Sequence, residues 1–65
     1  MKIECIKGFQ IDGGSMGIMQ GEVFQLVDAD SNTFEGVVGM SRQPGMEIDF
    51  YEEQLINYFK IKLIV

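Results

Sequence analysis

The chain has 65 residues, 46% of them hydrophobic, and its ten acids against five bases give a net charge of −5. One cysteine and no histidine exclude an internal disulfide, a Cys/His zinc site and every His-dependent triad or acid–base pair. The length sets a single domain over residues 1–65 whose small core needs dense packing or a partner chain.

The apolar residues are eight Ile and five Val against three Leu and one Ala. β-Branched side chains suit pleated strands, whereas Ala and Leu favour helices. Eight glycines and one proline supply turns. Composition therefore predicts short strands joined by tight turns.

Lys2 to Lys7 alternates, with Ile3 and Cys5 on one face and Glu4 opposite, and predicts a first strand ending at Gly8. Residues 8–21 hold five of the eight glycines, interspersed with Phe9, Ile11, Met16, Ile18 and Met19. That mixture predicts a long loop folded back over the core, turning at Asp12-Gly13-Gly14-Ser15. Glu22 to Val27 is apolar on both faces, which predicts a central strand. Asp28 to Asn32 is a polar turn, and Thr33 to Met40 completes a hairpin, bent or bulged at Gly36 and Gly39.

Ser41 to Gly45 predicts a second hairpin loop, with Pro44-Gly45 suited to a type II turn. Met46, Ile48 and Phe50 then alternate with Glu47 and Asp49, as in a half-buried strand with a charged outer face. A short helix follows at about 50–58. Asp49 is its expected cap, with Glu52 completing a capping box. Tyr51, Leu55, Tyr58 and Phe59 supply its apolar stripe. Lys60 to Val65 reads as the last strand, with Ile61, Leu63 and Val65 on one face.

The predicted order is strand, long loop, hairpin, hairpin, short helix, strand. It specifies a mainly β fold: a five-stranded Src-homology-3-like barrel with one short helix before the last strand. In that layout the first and last strands pair, covering the apolar C-terminal edge.

Candidate sites follow from the side chains. Asp28, Asp30 and Asn32 match the first three ligand positions of a calcium loop, but Thr33 stands where that loop needs glycine and Gly39 where it needs a bidentate glutamate. A polar hairpin tip is the better reading, and no metal or cofactor is expected. The glycines of 13–17 have no lysine and precede a strand, so neither a P-loop nor a dinucleotide fingerprint fits. Glu47, Asp49, Glu52 and Glu53 offer carboxylate pairs, yet a domain this small has little room for the cleft that would shift one of them. The chain is therefore read as non-enzymatic.

The same acids on a rigid small domain suit docking against a basic partner. Glu47, Asp49 and Glu53 are the candidate acidic contacts. Met16 and Met19, in the glycine-rich segment, are candidate apolar contacts, because flexible thioethers adapt to binding surfaces. Arg42, the lone arginine, is the candidate at a hairpin tip. Met46, in phase with Ile48 and Phe50, is expected in the core. Cys5 is expected to be a buried structural thiol.

Lys2 and Lys7 near one end and Lys60 and Lys62 near the other would meet if the terminal strands pair. That keeps nucleic-acid binding as the alternative to protein binding, set against the acidic balance of the whole chain. No apolar run has the length of a membrane span, and residues 1–7 lack the apolar core of a secretory signal. With its single cysteine, the chain is expected to be cytoplasmic. A homodimer would bury apolar surface that 65 residues cannot.

Three segments carry a family resemblance: Ile3-Glu4-Cys5-Ile6-Lys7, Gly21-Glu22-Val23-Phe24, and Phe50-Tyr51-Glu52-Glu53-Gln54-Leu55 with Tyr58-Phe59. Together they resemble small Src-homology-3-like barrel proteins encoded by Gram-positive bacteria, their phages and integrated elements. The resemblance spans most of the chain through structural motifs, and it carries over no catalytic residue. It implies an accessory protein of a mobile element that acts by binding, a class that includes inhibitors of host or defence proteins.

Overall fold

The computed structural model describes residues 1–37 and 46–62. Five strands form one antiparallel sheet: β1 (Lys2–Cys5), β4 (Val23–Asp28), β5 (Thr33–Gly36), β6 (Glu47–Asp49) and β7 (Phe59–Lys62). Their spatial order is β6-β5-β4-β1-β7. β4 is central, as its two apolar faces predict. β1 pairs with β7 from Lys2↔Lys62 to Cys5↔Phe59, so the first and last strands meet as expected. The expected barrel is not formed among the described residues: β6 and β7 stay at opposite ends of the sheet, with no ladder between them.

The segment read as a long loop holds two further strands. β2 (Phe9–Ile11) and β3 (Met16–Ile18) pair in a separate hairpin, Phe9↔Ile18 to Ile11↔Met16. The turn falls at the expected residues. Asp12, Gly13 and Gly14 have φ of 58°, 66° and 94°. Two of these three left-handed positions are glycines, which adopt them without a Cβ clash. The Ser15 N–H and hydroxyl both donate to the Asp12 carbonyl, at 3.2 and 2.9 Å, and close the tip. The glycine density masked the short alternation on either side of it.

The core is aromatic. Phe24 meets Phe50 at 5.4 Å between ring centroids and 84°, and Phe59 at 6.0 Å and 80°; Phe50 meets Phe59 at 4.9 Å. Edge-to-face contacts of this kind add about 0.5–1.5 kcal/mol each beyond burial. Ile3, Cys5, Ile18, Phe34 and Ile48 complete the buried cluster. Phe9 fixes the β2–β3 arm to it, stacking on Tyr58 at 4.3 Å and 10° and meeting Phe59 edge-on at 5.6 Å.

Several local expectations are corrected. β1 ends at Cys5, and Ile6 is exposed. The register irregularity lies in β4, between Leu26 and Asp28, where the extra residue Val27 is turned outward. Gly36 instead sits buried in a regular ladder opposite Phe24. Met46 is 41% exposed and lies outside the core cluster, because β6 begins only at Glu47. The helix, α1 (Glu52–Tyr58), is capped at Tyr51: the Tyr51 N–H donates to Gln54 Oε1 at 2.8 Å. Asp49 cannot cap it, because Asp49 is still in β6 and its carboxylate accepts from Thr33 Oγ1 at 2.6 Å. Tyr51 is exposed, so only Leu55 and Tyr58 of the helix stripe turn inward, while Phe59 opens β7. Gly39, Met40, the Ser41 to Gly45 loop and the Leu63 to Val65 end lie outside the described residues.

Candidate functional site

The sheet register decides what the outer face presents. Glu47 stands opposite Glu35, Glu35 opposite Gln25, Gln25 opposite Lys2, and Lys2 opposite Lys62. Side chains directly opposite on antiparallel strands lie on the same face. One polar row therefore crosses the sheet, acidic at the β6 end and basic at the β7 end. Asp49, two residues from Glu47, joins the acidic end on the same face. The chain's net negative charge hides this separation.

At the acidic end Glu47 and Asp49 are both exposed. Asp49 is held in place: Thr33 Oγ1 donates to its Oδ1 at 2.6 Å, and the Ser31 and Thr33 hydroxyls are 2.8 Å apart. A charge-assisted bond this short fixes the carboxylate's direction while leaving it open to solvent. Glu53 stands apart from this row, exposed in the first turn of α1 beside Glu52. There the two acids meet the positive end of the helix dipole.

Met16 and Met19 divide. Met16 in β3 is half-buried and packs against the core, while Met19, just beyond β3, is 54% exposed. The Met19 backbone is secured by Glu22, whose Oε2 accepts from the Met19 N–H at 3.1 Å, and whose own N–H donates to the Met19 carbonyl at 3.1 Å. Glu22 is itself buried, a position that alternation did not signal. Gly21, with φ of 95°, makes the return possible and donates to the Cys5 carbonyl at 2.8 Å. Arg42 lies outside the described residues.

The lysines also divide. Lys2 and Lys62 are neighbours in register, and Lys62 Nζ is 3.8 Å from Glu4 Oε1. Lys60 lies opposite Glu4. Lys7 is exposed beyond the end of β1. The terminal strands thus gather three of the four lysines at one edge, with Glu4 among them.

Asp28 and Asp30 form a turn: the Asp30 N–H donates to Asp28 Oδ1 at 3.0 Å, and Asn32 sits at φ 51°. This is the hairpin tip read from the sequence, built by a carboxylate that closes its own loop. Cys5 is fully buried, and its Sγ donates to the Lys7 carbonyl at 3.2 Å. Burial pushes the thiol above its ordinary value, and the Glu22 and Glu4 carboxylates act in the same direction. That favours the neutral thiol over the nucleophilic thiolate.

No helix among the described residues is long and apolar enough to cross a membrane. Comparison of the chain with protein-family models, with curated proteins and with solved structures finds no match in any of the three.

Proposed function

We propose that the chain is a non-catalytic protein-interaction module of a small Src-homology-3-like type. It acts as an accessory protein of a phage or integrated element in the cytoplasm and inhibits a host or defence protein. The observation that carries this reading is the acidic end of the sheet. Glu35, Glu47 and Asp49 share one rigid outer face, and Thr33 orients Asp49. Fixed carboxylates on an edge strand complement a basic partner surface and steer its approach. Glu53 on α1 and the exposed Met19 add candidate contacts, with Met16 supporting the arm from beneath. Arg42 belongs to the proposed contact set by its chemistry alone.

Affinity capture from a Gram-positive lysate tests the reading when wild type is compared with Glu47→Lys/Asp49→Lys. The expected result is a partner retained by wild type at low salt and lost by the double variant. Equal retention by both removes the acidic end from the interface.

A small nucleic-acid-binding domain is the second reading, favoured by the register that joins Lys2 to Lys62 with Lys60 nearby. A salt-dependent mobility shift of labelled DNA or RNA, weakened by Lys2→Glu, is its expected signature. The homodimer belongs to the first reading, since Val27 and Tyr51 are exposed apolar side chains that a second copy would cover. Sedimentation at high concentration distinguishes dimer from monomer.

A further inference from the structure

We propose that the outer edge of β7 is a second docking site, distinct from the acidic edge, which accepts an extended partner segment of alternating acidic and apolar residues as an added strand. Three independent observations meet there.

The first is the backbone. The Ile6 N–H donates to the Tyr58 carbonyl at 2.8 Å. Antiparallel pairing alternates, so Lys60 and Lys62 direct their backbone groups to β1, while Ile61 and the Phe59 carbonyl face outward; the Phe59 N–H closes the last turn of α1. Among the described residues no strand pairs with that side. The Phe59 C=O and the N–H and C=O of Ile61 are therefore a template for one more strand.

The second is an apolar groove of about 240 Å³ alongside the strand. Ile3, Phe34 and Phe59, all buried, contribute to it from the core, and Leu55, Ile56 and Ile61 from the helix and the edge. Ile61 is 60% exposed, large apolar surface on a strand whose neighbours are both lysines. An added strand would place every second side chain over this groove.

The third is charge. Lys60 and Lys62 lie on the opposite face from Ile61, in line with Lys2. The intervening residues of an added strand would project to that face, where acids meet the lysines. The same charges discriminate among occupants. Two β7 edges pairing with each other would set lysine against lysine. The β6 strand of a second copy carries Glu47 and Asp49 on the matching face, but its Ile48 is buried in its own core and cannot fill the groove. A separate extended segment meets all three requirements.

The test uses the full chain and a fluorescein-labelled peptide of alternating Glu and Val, with an alternating Lys and Val peptide and a scrambled acidic peptide as controls. Anisotropy reports affinity, and amide hydrogen exchange reports the site. The acidic alternating peptide is expected to bind at least about tenfold tighter than either control and to protect the amide of Ile61. Lys60→Glu/Lys62→Glu should reverse the preference between the acidic and basic peptides. Ile61→Pro removes an outward N–H without breaking the β1–β7 ladder, so it should abolish binding while the amides of β1 and β4 stay protected. Glu47→Lys/Asp49→Lys should leave peptide binding unchanged, which separates this site from the acidic edge. Equal binding of acidic and basic peptides, protection elsewhere than β7, or concentration-dependent self-protection of Ile61 without peptide would each overturn the proposal.

Discussion

The two edges of the sheet are built alike and charged oppositely. β6 and β7 are both short, and both turn alternate backbone groups outward. On the outer face β6 carries Glu47 and Asp49, whereas β7 carries Lys60 and Lys62. On the inner face Ile48 is buried and Ile61 is 60% exposed. The acidic edge is thus a finished wall of the core with a charged exterior. The basic edge still has apolar surface uncovered among the described residues. A sheet with unlike edges resists pairing of each edge with its own kind, which is the hazard of a small open sheet. It also has two chemically distinct surfaces for partners.

The severest way to break the comparison is to remove what both edges share. Phe24 of the central strand contacts Phe50 beyond β6 and Phe59 at the start of β7. Phe24→Ala should cost about 3–5 kcal/mol, enough to unfold a marginal domain, and urea denaturation would measure it. Survival of both peptide and partner binding at full stability would show that the edges do not depend on a common core.

The Cys5 thiol tests the basic side, since β1 joins β7 to the rest of the sheet. Burial raises its folded pKa, so the unfolded chain loses this proton first as pH rises. The stabilising contribution is whole below the ordinary thiol range, near 9.0, and is lost as pH climbs through the folded value. Stability should therefore fall more steeply above that range in wild type than in Cys5→Ala, compared by denaturation at several alkaline pH values. Parallel profiles would refute the buried-thiol account.

Thr33 tests the acidic side. Thr33→Val removes the 2.6 Å bond to Asp49 and should cost about 0.5–1.5 kcal/mol while loosening the carboxylate. The smallest expected effect belongs to Glu4. Glu4→Gln ends its 3.8 Å approach to Lys62 and should change stability by about 0.5 kcal/mol or less, because both side chains are partly solvated. It should nevertheless tighten binding of the acidic peptide at β7, by freeing the lysine. A basic edge unaffected by Glu4→Gln would mean that Lys62 does not contact the peptide.

Much of the sheet was legible in local pattern. Alternation at Ile3, Glu4 and Cys5, the inward pair Phe24 and Leu26, and the charged exterior of Glu47 and Asp49 each follow from the period-two geometry of a strand. The β2–β3 arm was not legible. Its strands have three residues each, and the glycines around and between them imitate a loop. Glu22 was missed because a carboxylate at a strand start ordinarily faces water, and only the return at Gly21 turns it inward. Met46 was misplaced because alternation states which face a side chain takes and not whether the strand has begun.

The sequence by itself determined a β-rich fold with alternating strand faces and the absence of histidine, because these depend on composition and on periods of a few residues. Only the tertiary structure decided that the sheet stays open among the described residues, that the acids and lysines line up as opposite ends of one row, and that Ile61 faces a groove. Each of those depends on register between strands distant in the chain. A shift of one residue in a ladder would preserve the sequence pattern and turn the charges of the shifted strand to the other face.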